Sequence, residues 1–221
     1  MPRILVDPDM ALPLGAQFLL GSLRWRCAKR PRCVAASSDG TWLAVASDCQ
    51  LIDLADLRTG KPLRTLHAGK CTTRALSFRP GSLELACGTT EGPILVFDVV
   101  SGECVAALRR FRRQVECLRW AQQGQVLLVG SERGDVVAWR MRDRRILYDR
   151  RYTSLCSEGT LTLSPCGQYA MAYEVEGIVP PGPKCWACIW DACGGQILWR
   201  GVLPFDWVRC AAGRDGRWIY I

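Results

Sequence analysis

Few side chains in this 221-residue chain could do chemistry: thirteen cysteines, one histidine and a crowd of arginines. The run Cys185-Trp186-Ala187-Cys188, with Cys193 close behind, has the spacing of a zinc or dithiol site. On a strand, however, residues three apart point to opposite faces, so the two thiols would not share an ion unless the strand broke. Thiolate chemistry also needs an exposed electropositive setting, so structural cysteines are the better reading. His67 stands alone, and general acid–base work needs a second positioned group. We expect it to cap a turn at the end of an outer strand. There is no Gly-x-Ser-x-Gly elbow and no glycine loop to cradle phosphate. The expectation is therefore no enzyme, with no catalytic residue, metal or cofactor.

Charge is more informative. Residues 109–151 hold twelve arginines against Glu116, Glu132, Asp135, Asp143 and Asp149, a net +7 out of +8 for the whole chain. Arginine forks suit carboxylates and phosphates, and a local basic field steers acidic partners. The competing reading is a solvated set of loop charges that binds nothing specific. Trp120, Trp139 and Trp190 could offer a stacking platform for bases, but their repeat-matched positions favour core packing.

The elements that position these groups are short strands. In 73–112, four apolar or alternating runs are separated by Pro80-Gly81-Ser82, Glu91-Gly92-Pro93 and Ser101-Gly102, which reads as an antiparallel meander. The turn after the first strand recurs at Gly40, Ser82, Gly124, Gly167 and Gly216. The residue closing the third strand recurs at Asp56, Asp98, Arg140 and Asp191, always sixteen places after the turn except in the last copy, where the gap is 24. One insertion near 174–184, between the second and third strands, accounts for that copy. Four strands every 40–45 residues mark a propeller blade. The predicted blades span about 32–66, 73–108, 115–151, 159–201 and an incomplete 207–221, so the fold class is an all-β propeller of about four and a half four-stranded blades. Residues 1–30 form an N-terminal extension, read as a possible added outer strand. Since the chain stops in mid-strand, it is either a fragment of a longer ring or a ring closed by means the sequence does not show, and the fragment is the expectation.

Trp190-Asp191, Phe97-Asp98, Ala55-Asp56 and Trp139-Arg140, with the turns Ser38-Asp39-Gly40, Ser164-Pro165-Cys166-Gly167 and Arg214-Asp215-Gly216, resemble the WD40-repeat family from about residue 32 onward. No Gly-His pair precedes a first strand, so these are divergent copies. The resemblance implies a rigid scaffold whose rim loops hold protein partners within a multi-subunit complex.

In a meander the second-to-third and fourth-to-first connections share one rim. That rim collects Arg109, Arg110, Arg112, Arg113, Arg133, Arg150 and Arg151, together with Pro180, Pro181 and Lys184 of the insertion; these are the candidate partner-binding residues. Arg140, Arg142, Arg144 and Arg145 fall on the opposite rim. The alternative function is an RNA- or chromatin-associated propeller binding nucleic acid or acidic partners through the arginine arc. The apolar stretch 10–23 is too short to span a bilayer and lacks the basic flank of a signal peptide. No asparagine exists to be glycosylated. The expected setting is the nucleus or cytoplasm, with no membrane and no small-molecule substrate.

Overall fold

A computed structural model describes residues 30–48, 50–151, 161–164, 166–176, 184–203, 210–212 and 218–220. Every regular element of any length among them is a strand. The first sheet comprises β1 (Pro31–Ala36), β2 (Trp42–Ser47), β3 (Leu51–Asp56) and β4 (Pro62–His67). The second holds β5 (Thr73–Phe78), β6 (Glu84–Thr89), β7 (Ile94–Asp98) and β8 (Cys104–Leu108). The third has β9 (Val115–Ala121), β10 (Val126–Ser131), β11 (Asp135–Arg140) and β12 (Arg145–Arg151). The fourth runs β13 (Thr162–Leu163), β14 (Tyr169–Glu176), β15 (Lys184–Asp191) and β16 (Ile197–Leu203), and β17 (Cys210–Ala212) pairs with β18 (Trp218–Tyr220). Each strand pairs antiparallel with its chain neighbour, and the first strands succeed one another from sheet to sheet as inner blade strands do. The predicted propeller fold is what the chain adopts. The 1–30 extension, apart from Arg30, lies outside the described residues.

Repetition extends to local irregularities. The pairing of third and fourth strands shifts register in all four sheets, at Leu54/Ala55, Val96/Phe97, Ala138/Trp139 and Ile189/Trp190. Insertions in a hairpin can lengthen it or bulge it, and here part of the insertion lengthens it: β14 and β15 stay paired out to Glu176↔Lys184, so Glu174–Glu176 and Lys184 are strand residues. Residues 177–183 lie outside those described.

Both faces of β6 and β10 are buried, which is why these two strands read as nearly continuous apolar runs. Three cores result, each between successive blades. Ile52, Leu54 and Leu66 meet Leu76, Phe78 and Leu85; Ile94 and Val96 meet Leu118, Trp120 and Leu127; Val126 and Leu128 meet Leu161, Ala170 and Trp190. The first-strand pairs Leu76/Phe78 and Leu118/Trp120 thus pack back onto the preceding blade. Their counterpart Val34, in the first blade, is 62% exposed because no described blade precedes it.

Turn and outer strand approach closely across two of the blade seams. A Cβ at Gly195 would lie 2.7 Å from the Tyr148 ring, and one at Gly102 would overlap the Arg64 guanidinium; both glycines have φ near +70° to +80°. At the equivalent turn of the third blade stands Arg144, with φ +56°, and the outer-strand residue that matches Arg64 and Tyr148 in the repeat is the small Ala106. Arg144 Nη2 donates to the Val105 carbonyl at 2.8 Å across the same seam.

Carboxylates that close the third strands organise the next turns. Asp56 Oδ1 accepts from the Thr59 N–H at 2.6 Å, Asp98 Oδ1 from the Ser101 N–H at 2.7 Å, and Asp191 Oδ1 from the Gly194 N–H at 2.5 Å. These N–H donors hold Asp56 and Asp98 below the usual carboxylate range, as the Ser37 hydroxyl does for Asp39. A depressed folded pKa contributes stability that is complete above the unfolded value of about 3.9 and is lost as pH falls through the folded values. Urea midpoints should accordingly be level from pH 7 down to about 5 and drop below about 4. A midpoint that rises on acidification would contradict the turn assignment.

Candidate partner-binding rim

The connection from β8 to β9 carries Arg109, Arg110, Arg112 and Arg113 and is held from beneath. Phe111 packs edge-on against Trp139, with centroids 6.4 Å apart and planes at 65°, which anchors the loop in the core between the second and third blades. Below it runs the turn at Gly92, whose φ is +100°; a Cβ there would overlap the Phe111 carbonyl and sit 3.0 Å from the Arg113 carbonyl oxygen. Only glycine lets the two backbones approach this closely.

Ion pairs then tie this loop to its neighbours. Arg110 pairs with Asp149 of β12, Arg113 Nη1 with Glu132 at 3.5 Å, and Arg151 Nε with Asp135 at 2.8 Å. All three arginines are more than half exposed, so these contacts shape the surface more than they stabilise it. Arg150 points to the other face of β12, and its Nη1 donates to the Gly195 carbonyl at 3.2 Å. Arg109, Arg112 and Arg133 are exposed and form no ion pair with a described carboxylate. Lys184 begins β15, while Pro180 and Pro181 lie outside the described residues. Six of the seven arginines therefore gather around the 109–113 loop, three of them with free guanidinium groups. Sequence reasoning located the loop but missed Gly92 and Phe111. The Glu91-Gly92-Pro93 turn was visible; its contact with a loop twenty residues away was not.

Several of the other chemical candidates are packed into the fold. Cys188 is buried in the core between the third and fourth blades, and burial pushes its thiol up. Desolvation likewise raises Cys33 and Cys87 to about 12 and Cys117 to about 11, so these sulfurs are inert packing groups. Cys185 stands three residues from Cys188 on β15. Cys104 and Cys166 are exposed, and the Ser164 hydroxyl pulls the Cys166 thiol down. Trp120, Trp139 and Trp190 are buried, and His67 ends β4 on the surface. Among the described residues no three potential ligands converge on a metal site, and no helix is long and apolar enough to cross a membrane.

Comparisons with known proteins agree with the repeat pattern and the fold. The family described as WD domain, G-beta repeat, matches residues 24–52. Human WD repeat and HMG-box DNA-binding protein 1 is 23% identical over 155 residues, 66% of this chain. Pre-rRNA-processing protein IPI3 of Mycosarcoma maydis is 27% identical over 82 residues, 37% of this chain. The chain covers only 14% of the length of either relative. Among solved structures, the hydrazine synthase of Kuenenia stuttgartiensis superposes with a TM-score of 0.69 at 14% identity, over 84% of this chain and 53% of that one. That likeness concerns the fold alone.

Proposed function

We propose that the chain is a member of the WD40-repeat family and a non-enzymatic scaffold, a propeller subunit that holds a protein partner within a larger complex through the arginine rim of its third blade. The observation carrying this reading is the 109–113 loop: its backbone is pinned by Phe111 and Gly92, and Arg109, Arg112 and nearby Arg133 are left unpaired. A preorganised loop of free guanidinium groups loses little entropy on docking and selects carboxylates. Pro180, Pro181 and Lys184 of the following blade belong to the same proposed surface. We assign the protein to the nucleus or cytoplasm, and residues 1–30 to an extension outside the blades.

Two relatives carry DNA-binding and pre-rRNA-processing in their names, which supports a second reading: contact with RNA or chromatin through the same arc. The two separate experimentally. In affinity capture from cells, the triple variant Arg109→Glu, Arg112→Glu, Arg133→Glu should lose its protein partners by about tenfold or more while keeping its melting temperature, since charge-assisted hydrogen bonds contribute about 1.5–3 kcal/mol each. Partner recovery equal to wild type would sink the rim assignment. If the bound species is instead RNA, association should weaken steeply between low and physiological salt.

A further inference from the structure

We propose that the opposite rim of the third blade carries a second docking site, a cleft that receives an extended acidic peptide from a protein partner. The cleft has a volume of about 640 Å³ and is framed by the two turns at 121–125 and 141–144. Gln122, Gln125, Arg140, Arg142 and Leu147 line it, Arg79 enters from the second blade, and Val126 and Cys193 close it from within.

The repeat rules fail here together. In the first, second and fourth blades an aspartate closes the third strand and caps the turn through its carboxylate. In the third blade that residue is Arg140, and the carboxylate has moved to Asp143, which receives Arg140 Nη2 at 2.7 Å and Nε at 3.1 Å. Every described non-glycine residue with positive φ is in these two turns: Gln122 at +46°, Gln123 at +52° and Arg144 at +56°. Left-handed backbone is costly for residues bearing a Cβ, and such strain collects at ligand clamps. Local departures from an otherwise regular pattern are where function is expected.

The lining selects the ligand. Arg79 is spent on Glu84, at 2.7 Å, and on the Gly124 carbonyl, and stacks over Trp120 at 5.6 Å. Arg140 is spent on Asp143. Of the three arginines Arg142 alone forms no hydrogen bond or ion pair with a described residue, although the Asp143 carboxylate feels its charge, so the cleft offers one guanidinium whose donors are open to a ligand. Nucleic acid needs several cations along its backbone, and the cleft offers only one unpaired cation. A peptide fits: a glutamate or aspartate on Arg142, backbone amides on Gln122 and Gln125, and an apolar side chain on Leu147, itself 37% exposed.

The test is a selection of displayed random peptides of about twelve residues against the whole chain, followed by anisotropy titration of the winners. Enrichment of acidic peptides is expected, with binding weakened about tenfold or more by Arg142→Glu, partly retained by Arg142→Lys, and unchanged by the double variant Arg109→Glu, Arg112→Glu on the other rim. The last arm keeps this site distinct from the first proposal. No enriched peptide, affinity indifferent to Arg142→Glu in a variant that melts like wild type, or displacement by single-stranded RNA at lower concentration than peptide would each overturn it.

Discussion

Replacing Trp190 by alanine should cost about 3–5 kcal/mol, the usual price of emptying a buried aromatic site. Trp190 is 0% exposed and fills the junction between the third and fourth blades beside Val126, Leu128 and Ala170. Its Nε1–H donates to the Tyr148 hydroxyl at 3.0 Å, which in turn donates to the Ala192 carbonyl at 3.0 Å. A domain of ordinary stability has about 5–15 kcal/mol in total, so this variant should lose much of its cooperative unfolding transition. Trp190→Phe keeps most of the volume and removes the indole donor, and should cost about 1–2 kcal/mol. Trp199→Ala, at a position 43% exposed, should cost less than Trp190→Phe. Urea melts of the three variants give the order, and a Trp190→Ala midpoint close to wild type would show that the blades do not share this core.

The second large effect concerns binding more than stability. Gly92→Ala places a Cβ against the Phe111 carbonyl at a backbone φ of +100° that side chains rarely adopt. The cheapest relief is for the exposed 109–113 loop to lift away, since Phe111 meets Trp139 only edge-on. Partner capture should then fall about as far as in the triple arginine variant, although all the arginines remain, while stability drops by about 1–3 kcal/mol. Undiminished capture would mean that loop geometry is not what the partner reads.

How much of this was legible beforehand depends on the range of the interaction. Strand order, turn positions and the matched first-strand pairs follow from periodicity, because each blade is built from neighbours in the chain; Leu76 and Phe78, or Leu118 and Trp120, could be placed from their distance to the turn. The insertion was located, but its division into longer strands and an intervening segment depends on pairing energies at Glu176↔Lys184 that spacing does not reveal. The rim cluster was legible as a list of arginines. Which of them are neutralised was not, since Arg110–Asp149 joins groups 39 residues apart. Arg150 left the cluster because adjacent strand residues face opposite ways. The opposite-rim cleft had a readable sign, the aspartate-to-arginine change at Arg140 in an otherwise regular column, whose meaning emerged only with the left-handed turns beside it.

Hydrogen–deuterium exchange on the protein with and without its captured partner tests the central claim most directly, because it maps the contact without altering a residue. The account predicts slowed exchange on partner binding in the 109–114 connection and the neighbouring 132–134 turn, together with the rest of the proposed surface at 178–184. Unchanged exchange in these segments, with protection appearing instead on the outer strands β4, β8 or β16, would contradict it.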